Sequence, residues 1–211
     1  MVARAGRARA PATRKRRAQI LKAALDCFVT HGYARTTMED IRKRARASTG
    51  SIYHHFKSKE QLAAELYREG VRATQRAGRE AVQNNPGAER GVRALVGGYL
   101  AWVAENPQFA TYLLTAKHAE FMAYTEQIVG PMNLEYARSL REWIEGHVAR
   151  GDLPPLAYDV YRAILFGPSE LFARYWLAGR TETNLKRAGR LLAESAWQAL
   201  RAQLKPGPGA R

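Results

Sequence analysis

"STGSIYHHFKSKEQL", residues 48–62, sets hydroxyls, a glycine, a tyrosine, adjacent histidines and two lysines among very few core residues. Such a stretch suits either a catalytic or metal site, or a surface shaped to lie against something negatively charged. Helical spacing separates its residues into two sets. Ile52 and Phe56 are four apart and fall on one face of a very short helix over 48–55, which leaves Thr49, Ser51, Tyr53 and His54 on the other. Ser58 and Gln61 have capping-box spacing, so the next helix begins at Lys59 and runs toward Gln83 with Leu62, Leu66 and Val71 among its apolar positions.

Upstream, Thr36 and Glu39 repeat the box spacing and predict a short helix over about 37–46, with Met38, Ile41 and Ala45 turned inward. Before it, Ile20, Leu21, Ala24, Leu25 and Phe28 form one stripe on a helix from Arg16 to His31, ended by Gly32 in a left-handed cap. Two short helices joined by a tight turn at Ala47 make a helix-turn-helix. A helix of eight residues is about 12 Å long and fits the roughly 12 Å major groove of DNA. Hydroxyls and Tyr53 can reach phosphates or base edges, Gly50 permits close backbone approach, and Lys59 adds charge to the free N–H groups of a helix start. Few residues here make bidentate base contacts, so the DNA sequence that would be read is not deducible.

Charge supports a polyanionic partner. Residues 1–69 carry 16 Lys and Arg against 6 Asp and Glu, whereas residues 70–211 carry 18 against 13. The first 17 residues hold seven positive charges and no acid, and residues 1–15 read as a disordered basic arm. That arm is either a solubility tail or, through Arg14, Lys15, Arg16 and Arg17, a source of further phosphate contacts. The single cysteine, Cys27, excludes an internal disulfide, no apolar run follows the basic start as in a secretory signal, and no apolar stretch approaches the ~18 residues of a membrane span. A cytoplasmic protein with no membrane partner is expected. No Gly-rich phosphate loop, G-x-S-x-G, His/Glu metal spacing or nucleophile with a base is seen, so neither an enzyme nor a cofactor is expected.

No alternating strand pattern occurs and 3.6-residue periodicity recurs, which makes the fold all-α. Beyond residue 86, helices are expected over about 88–105, 108–119, 120–129, 131–150, 156–178 and 183–204, with a kink at Pro168. Residues 16–69 form the helix-turn-helix domain, 70–205 a larger helical domain, and 206–211, rich in Pro and Gly, a disordered tail.

In order along the chain, Ala23, Ala24, Phe28, Gly32 and Tyr33, then Thr36, Thr37 and Ile41, then the Ser48–Leu62 stretch, resemble the DNA-binding domain of the TetR family of bacterial transcriptional regulators. The resemblance covers about 45 residues without gaps; the rest resembles the family in helical content and length only. It implies a homodimer whose recognition helices enter successive major grooves of a palindromic double-stranded DNA operator, a small-molecule effector held among the central helices, and a dimer interface on the last two helices. DNA contacts carried onto this chain are Thr36, Thr37, Ser48, Thr49, Gly50, Ser51, Tyr53, His54, His55 and Lys59. Two positions depart from the family pattern. Arg42 follows Ile41 where a small residue is usual, and could crowd the helix crossing. Arg46 stands in the turn in place of glycine, so it must either tolerate an unfavourable backbone angle or alter the turn.

Other side chains carry competing readings. His54 and His55 point about 100° apart on a helix, which suits backbone contact for one and packing for the other better than a shared metal. Cys27 fits a small buried residue better than a redox sensor. In the larger domain Trp102, Phe109, Tyr112, Phe121, Met122, Tyr124, Met132 and Trp143, with Thr111, Thr115 and His118 among them, suit either core or a mainly apolar or aromatic effector. On the final helices Ala163, Gly167, Gly189, Ala193 and Ala196 form a small-residue seam flanked by Leu171, Trp176, Leu192 and Leu200, which suits a two-fold four-helix interface or packing within one chain.

Overall fold

The computed structural model describes residues 3–116 and 121–204, and the backbone alone for 3–11. These residues form nine helices: α1 Ala3–His31, α2 Met38–Arg44, α3 Thr49–His55, α4 Lys59–Gln83, α5 Ala88–Glu105, α6 Pro107–Ala116, α7 Met122–Ala149, α8 Tyr158–Leu177 and α9 Leu185–Arg201. The all-α class expected from periodicity is the observed one, and α4 and α5 begin and end within a residue of their sequence signals. No helix among the described residues is long and apolar enough to cross a membrane.

Three boundaries differ from expectation. α1 reaches back to Ala3 through the segment expected to be a disordered arm; its many Ala and Arg favour a helix, while Gly6 and Pro11 within it do not. α7 is one helix where a break near residue 130 is expected, and it passes through Pro131, an exposed position. The box at the start of α2 is shifted by one residue. Thr37 is the N-cap, its hydroxyl accepting from the Asp40 N–H while the Asp40 carboxylate accepts from the Thr37 N–H at 2.9 Å. α8 runs through Pro168 over nearly the span expected for it. The tail 206–211 lies outside the described residues.

The chain divides into two units, and one of them takes in a segment from further along the chain. One unit ends at Gly70 and also includes Gln108–Val129; the other comprises Val71–Pro107 and the chain from Gly130 onward. The reason is aromatic packing. Tyr112 of α6 stacks on Phe28 of α1 at 5.8 Å between ring centroids, Phe121 lies 4.7 Å from Tyr33, and the Tyr112 hydroxyl donates to the Ala63 carbonyl at 2.7 Å. Ile20, Leu21, Leu25, Ile41, Ile52, Phe56, Leu62 and Leu66 complete that core.

In the second unit α5 packs chiefly on α9. The face of α9 turned inward repeats at helical spacing through Leu185, Ala188, Gly189, Ala193, Ala196, Trp197 and Leu200. A Cβ at Gly189 would lie only 3.8 Å from the Gly97 Cα, so the backbones approach closely there. Val92, Leu95, Val96, Leu140, Ile144, Leu153, Tyr161 and Leu165 fill the rest of this core.

Candidate nucleic-acid interface

The turn between α2 and α3 fixes the direction of α3, and its hydrogen bonds define it. The Ala47 N–H donates to the Arg42 carbonyl at 3.0 Å and the Arg46 N–H to the Lys43 carbonyl at 3.1 Å. This pair is the Schellman arrangement, which requires the residue after the C-cap to be left-handed. Arg46 occupies that position with φ 49°, the one non-glycine residue with positive φ among those described. Of the two alternatives for Arg46, the backbone therefore keeps the standard turn and accepts the strained angle. A side chain there costs roughly 1 kcal/mol relative to glycine.

Arginines on both sides brace the turn. Arg42 does not crowd the crossing: its guanidinium grips both carboxylate oxygens of Glu39 at 2.7 Å and donates to the Ala47 carbonyl at 3.1 Å. Glu39 three residues earlier is the sequence signal that would have revealed this clamp. Arg16 of α1 donates to the Ala45 carbonyl at 3.4 Å.

α3 leaves the turn capped by Ser48, whose hydroxyl accepts from the Ser51 N–H at 3.2 Å. Ile52 and Phe56 are fully buried and seat the helix; Ile41 and Ile20 of its core are equally inaccessible. Truncating Ile52 to alanine costs about 2–5 kcal/mol on general grounds. The opposite face presents Ser48, Thr49, Gly50, Tyr53 and His54 to solvent, with Ser51 half-buried. His55 is half-buried, and burial, followed by the charges of His54, Arg17 and Arg16, pulls its imidazole pKa down.

Around this face, four sequence candidates have partners within the chain. Thr36 is buried, and its hydroxyl donates to the Gly32 and Cys27 carbonyls at 2.8 and 3.2 Å, so it ties the end of α1 to the start of α2 instead of facing outward. Thr37 is exposed, with its hydroxyl on Asp40 at 2.6 Å. Arg17 is held by Glu65 at 2.6 Å and Glu69 at 3.1 Å and lies 5.3 Å over the Phe56 ring. Local sequence showed its adjacency to the basic arm but not these two carboxylates brought from α4. The Lys59 ammonium donates to the Tyr33 carbonyl at 3.0 Å and sits 4.2 Å over the Tyr33 ring, which leaves two of its three donors. The Ser58 hydroxyl accepts from the Gln61 N–H at 3.2 Å as the box predicts, but the Gln61 amide accepts from Lys57 rather than from Ser58 itself.

Among the effector candidates, Tyr112 and Phe121 belong to the first unit's core and are spent on the packing described above. Trp143 packs against Gly91 and His147. Trp102, Phe109 and Met122 are half-buried, Tyr124 is 44% exposed, and His118 lies outside the described residues. None of them lines the groove of about 730 Å³ between α5 and α9, whose floor is Gly97, Leu100, Ala101, Leu185, Gly189 and Ala193. The interface candidates also divide. Ala163, Gly167 and Leu171 share an exposed stripe of α8 with Val160 and Tyr175, and Leu171 is 53% exposed. Trp176 and Leu192 are half-buried, whereas Gly189, Ala196 and Leu200 are consumed by packing within the chain. Cys27 is buried, and burial pushes its thiol pKa up, which opposes thiolate reactivity.

Comparison with known proteins follows this division. Residues 20–66 match the family described as "Bacterial regulatory proteins, tetR family". The transcriptional repressor KstR2 of Mycolicibacterium smegmatis is 44% identical over 54 residues, 26% of this chain and 26% of that protein. The chain thus matches about a quarter of that relative's length. The transcriptional regulator TcmR of Streptomyces glaucescens is 28% identical over 204 residues, covering 90% of this chain and 85% of the relative. Among solved structures, the fatty acid degradation regulator FadR of Bacillus halodurans shares the fold, with a TM-score of 0.74 at 20% identity over 88% of this chain and 96% of its own. Residues 20–66 thus carry the helix-turn-helix described for the tetR family of bacterial regulatory proteins, and over most of its length the chain is similar to a transcriptional regulator and shares the fold of a solved one.

Proposed function

We propose that the protein is a repressor that binds a palindromic operator as a homodimer and leaves it when a small, mainly apolar or aromatic ligand binds. The observation that carries the DNA side is α3: two fully buried anchors, Ile52 and Phe56, hold a seven-residue helix whose other face, Thr49, Gly50, Tyr53 and His54, is open. That face positions on phosphates through hydroxyls and leaves base reading to Thr49, Ser51 and His54. The exposed Ala163, Gly167, Leu171 and Tyr175 stripe of α8 supports a two-fold helix interface, because a lone helix in water does not favour leucine at 53% exposure beside small residues. A groove of about 730 Å³ lies within the ~300–1,000 Å³ range of small-molecule sites, and its apolar floor supports an apolar effector.

Ligand release then acts by population. The affinity for DNA falls by no more than the ligand's preference for the dimer whose recognition helices are wrongly spaced. A footprint on the DNA upstream of its own gene tests the reading. Thr49→Ala and Tyr53→Ala weaken the footprint if α3 reads DNA; an unchanged footprint, or none in the wild type, contradicts it. A net charge of +15 also favours purely charge-driven binding, which predicts equal affinity for operator, random DNA and heparin.

A further inference from the structure

Arg46 combines three features that stability alone does not explain. Its backbone is left-handed at φ 49°, where glycine would be unstrained. Its side chain is exposed, and no hydrogen bond or ion pair holds it among the described residues. It stands three residues before the first residue of α3, while the carbonyls on either side of it, Ala45 and Ala47, are each held by another arginine, Arg16 and Arg42. Of the arginines nearest the turn, Arg42 is spent on Glu39, Arg44 on Asp26 at 3.0 Å and Arg17 on Glu65 and Glu69. Arg46 alone in this group has its planar fork of donors uncommitted.

We infer that Arg46 is a DNA-phosphate contact of this protein, and that the strained turn is retained because it carries the guanidinium to the edge of the recognition helix. This deepens the DNA-binding reading and rests on it. Backbone strain persists where the surroundings over-determine it, and the two carbonyl clamps supply that constraint. A guanidinium fork suits a phosphate bidentately, and such a contact positions the helix without specifying a base.

The test uses the full chain and three variants, Arg46→Gly, Arg46→Asn and Arg46→Lys, against an operator duplex and a random duplex at several salt concentrations. Arg46→Gly melts at or above the wild-type temperature because it relieves the left-handed strain, so weakened binding cannot be blamed on misfolding. The expected result is a loss of roughly tenfold for Arg46→Gly and Arg46→Asn on both duplexes, with the log–log salt slope reduced by about 0.9, and a smaller loss for Arg46→Lys. Affinity and salt slope unchanged in Arg46→Gly, while the wild type still selects its operator, overturn the role of Arg46 and leave the regulator reading standing. A wild type that binds neither duplex brings down both.

Discussion

The Arg42 guanidinium donates to the Ala47 carbonyl at 3.1 Å while holding Glu39 with its other nitrogens, so a residue of α2 fastens the chain just past the turn that aims α3. A side chain that looks obstructive in sequence is therefore part of the scaffold that aims α3. Arg42→Ala is expected to lower Tm slightly, far less than Ile52→Ala, and to weaken DNA binding more than the change in stability accounts for. Arg42→Lys does not restore it, because an ammonium cannot serve Glu39 and the Ala47 carbonyl in one plane. Binding isotherms beside melting curves check this, and full rescue by lysine contradicts it.

The same turn shows how far the sequence could be read. The helix-turn-helix, its capping signals and its two anchors are local, set by spacings of three and four residues, and Ile52, Phe56 and the start of α4 stand where those spacings put them. The fate of Arg17 and Lys59 is not local: each is decided by a partner far along the chain, Glu65 and Glu69 for one and Tyr33 for the other, while Thr36 turns back onto the Gly32 and Cys27 carbonyls at the end of α1, and periodicity reveals none of these. Periodicity is silent on the effector candidates for a related reason. An aromatic on a helix has the same pattern whether it faces a cavity or a core, and Tyr112 and Phe121 face a core.

Tyr112 gives a direct check on that core. Its hydroxyl is buried and donates to the Ala63 carbonyl at 2.7 Å, and its ring stacks on Phe28. Tyr112→Phe keeps the packing and is expected to destabilise by about 1 kcal/mol, whereas Tyr112→Ala costs about 3–5 kcal/mol. Denaturant unfolding measures both. A destabilised alanine variant with no change in effector response supports a structural role; loss of effector response in a stable phenylalanine variant contradicts it.

The stripe on α8 predicts oligomeric state. Leu171→Arg places a charge at the centre of the exposed run from Val160 to Tyr175 and is expected to give a folded monomer by light scattering, with operator affinity reduced by at least tenfold because the two half-sites are no longer linked. A dimer that persists in Leu171→Arg moves the interface elsewhere.

His55 makes stability depend on pH. Its folded pKa lies below the ordinary imidazole value, chiefly through burial, so the unfolded chain binds the proton first as pH falls. The stabilising effect of a neutral His55 is complete above the unfolded pKa of about 6.5 and is lost as pH drops through the lower folded value. Tm should fall between pH 7.5 and 5.5, and His55→Gln should flatten that dependence. An equally steep profile in the variant assigns the effect to another group.

The central claim is that α3 reads a two-fold DNA sequence. Selection of binding sites from random duplexes, run with the full chain at two salt concentrations, tests it most directly. A palindrome enriched at both concentrations, lost with Thr49→Ala and Tyr53→Ala together, is the result this structure predicts. Recovery of DNA with no common sequence, with affinity that tracks salt alone, would contradict it.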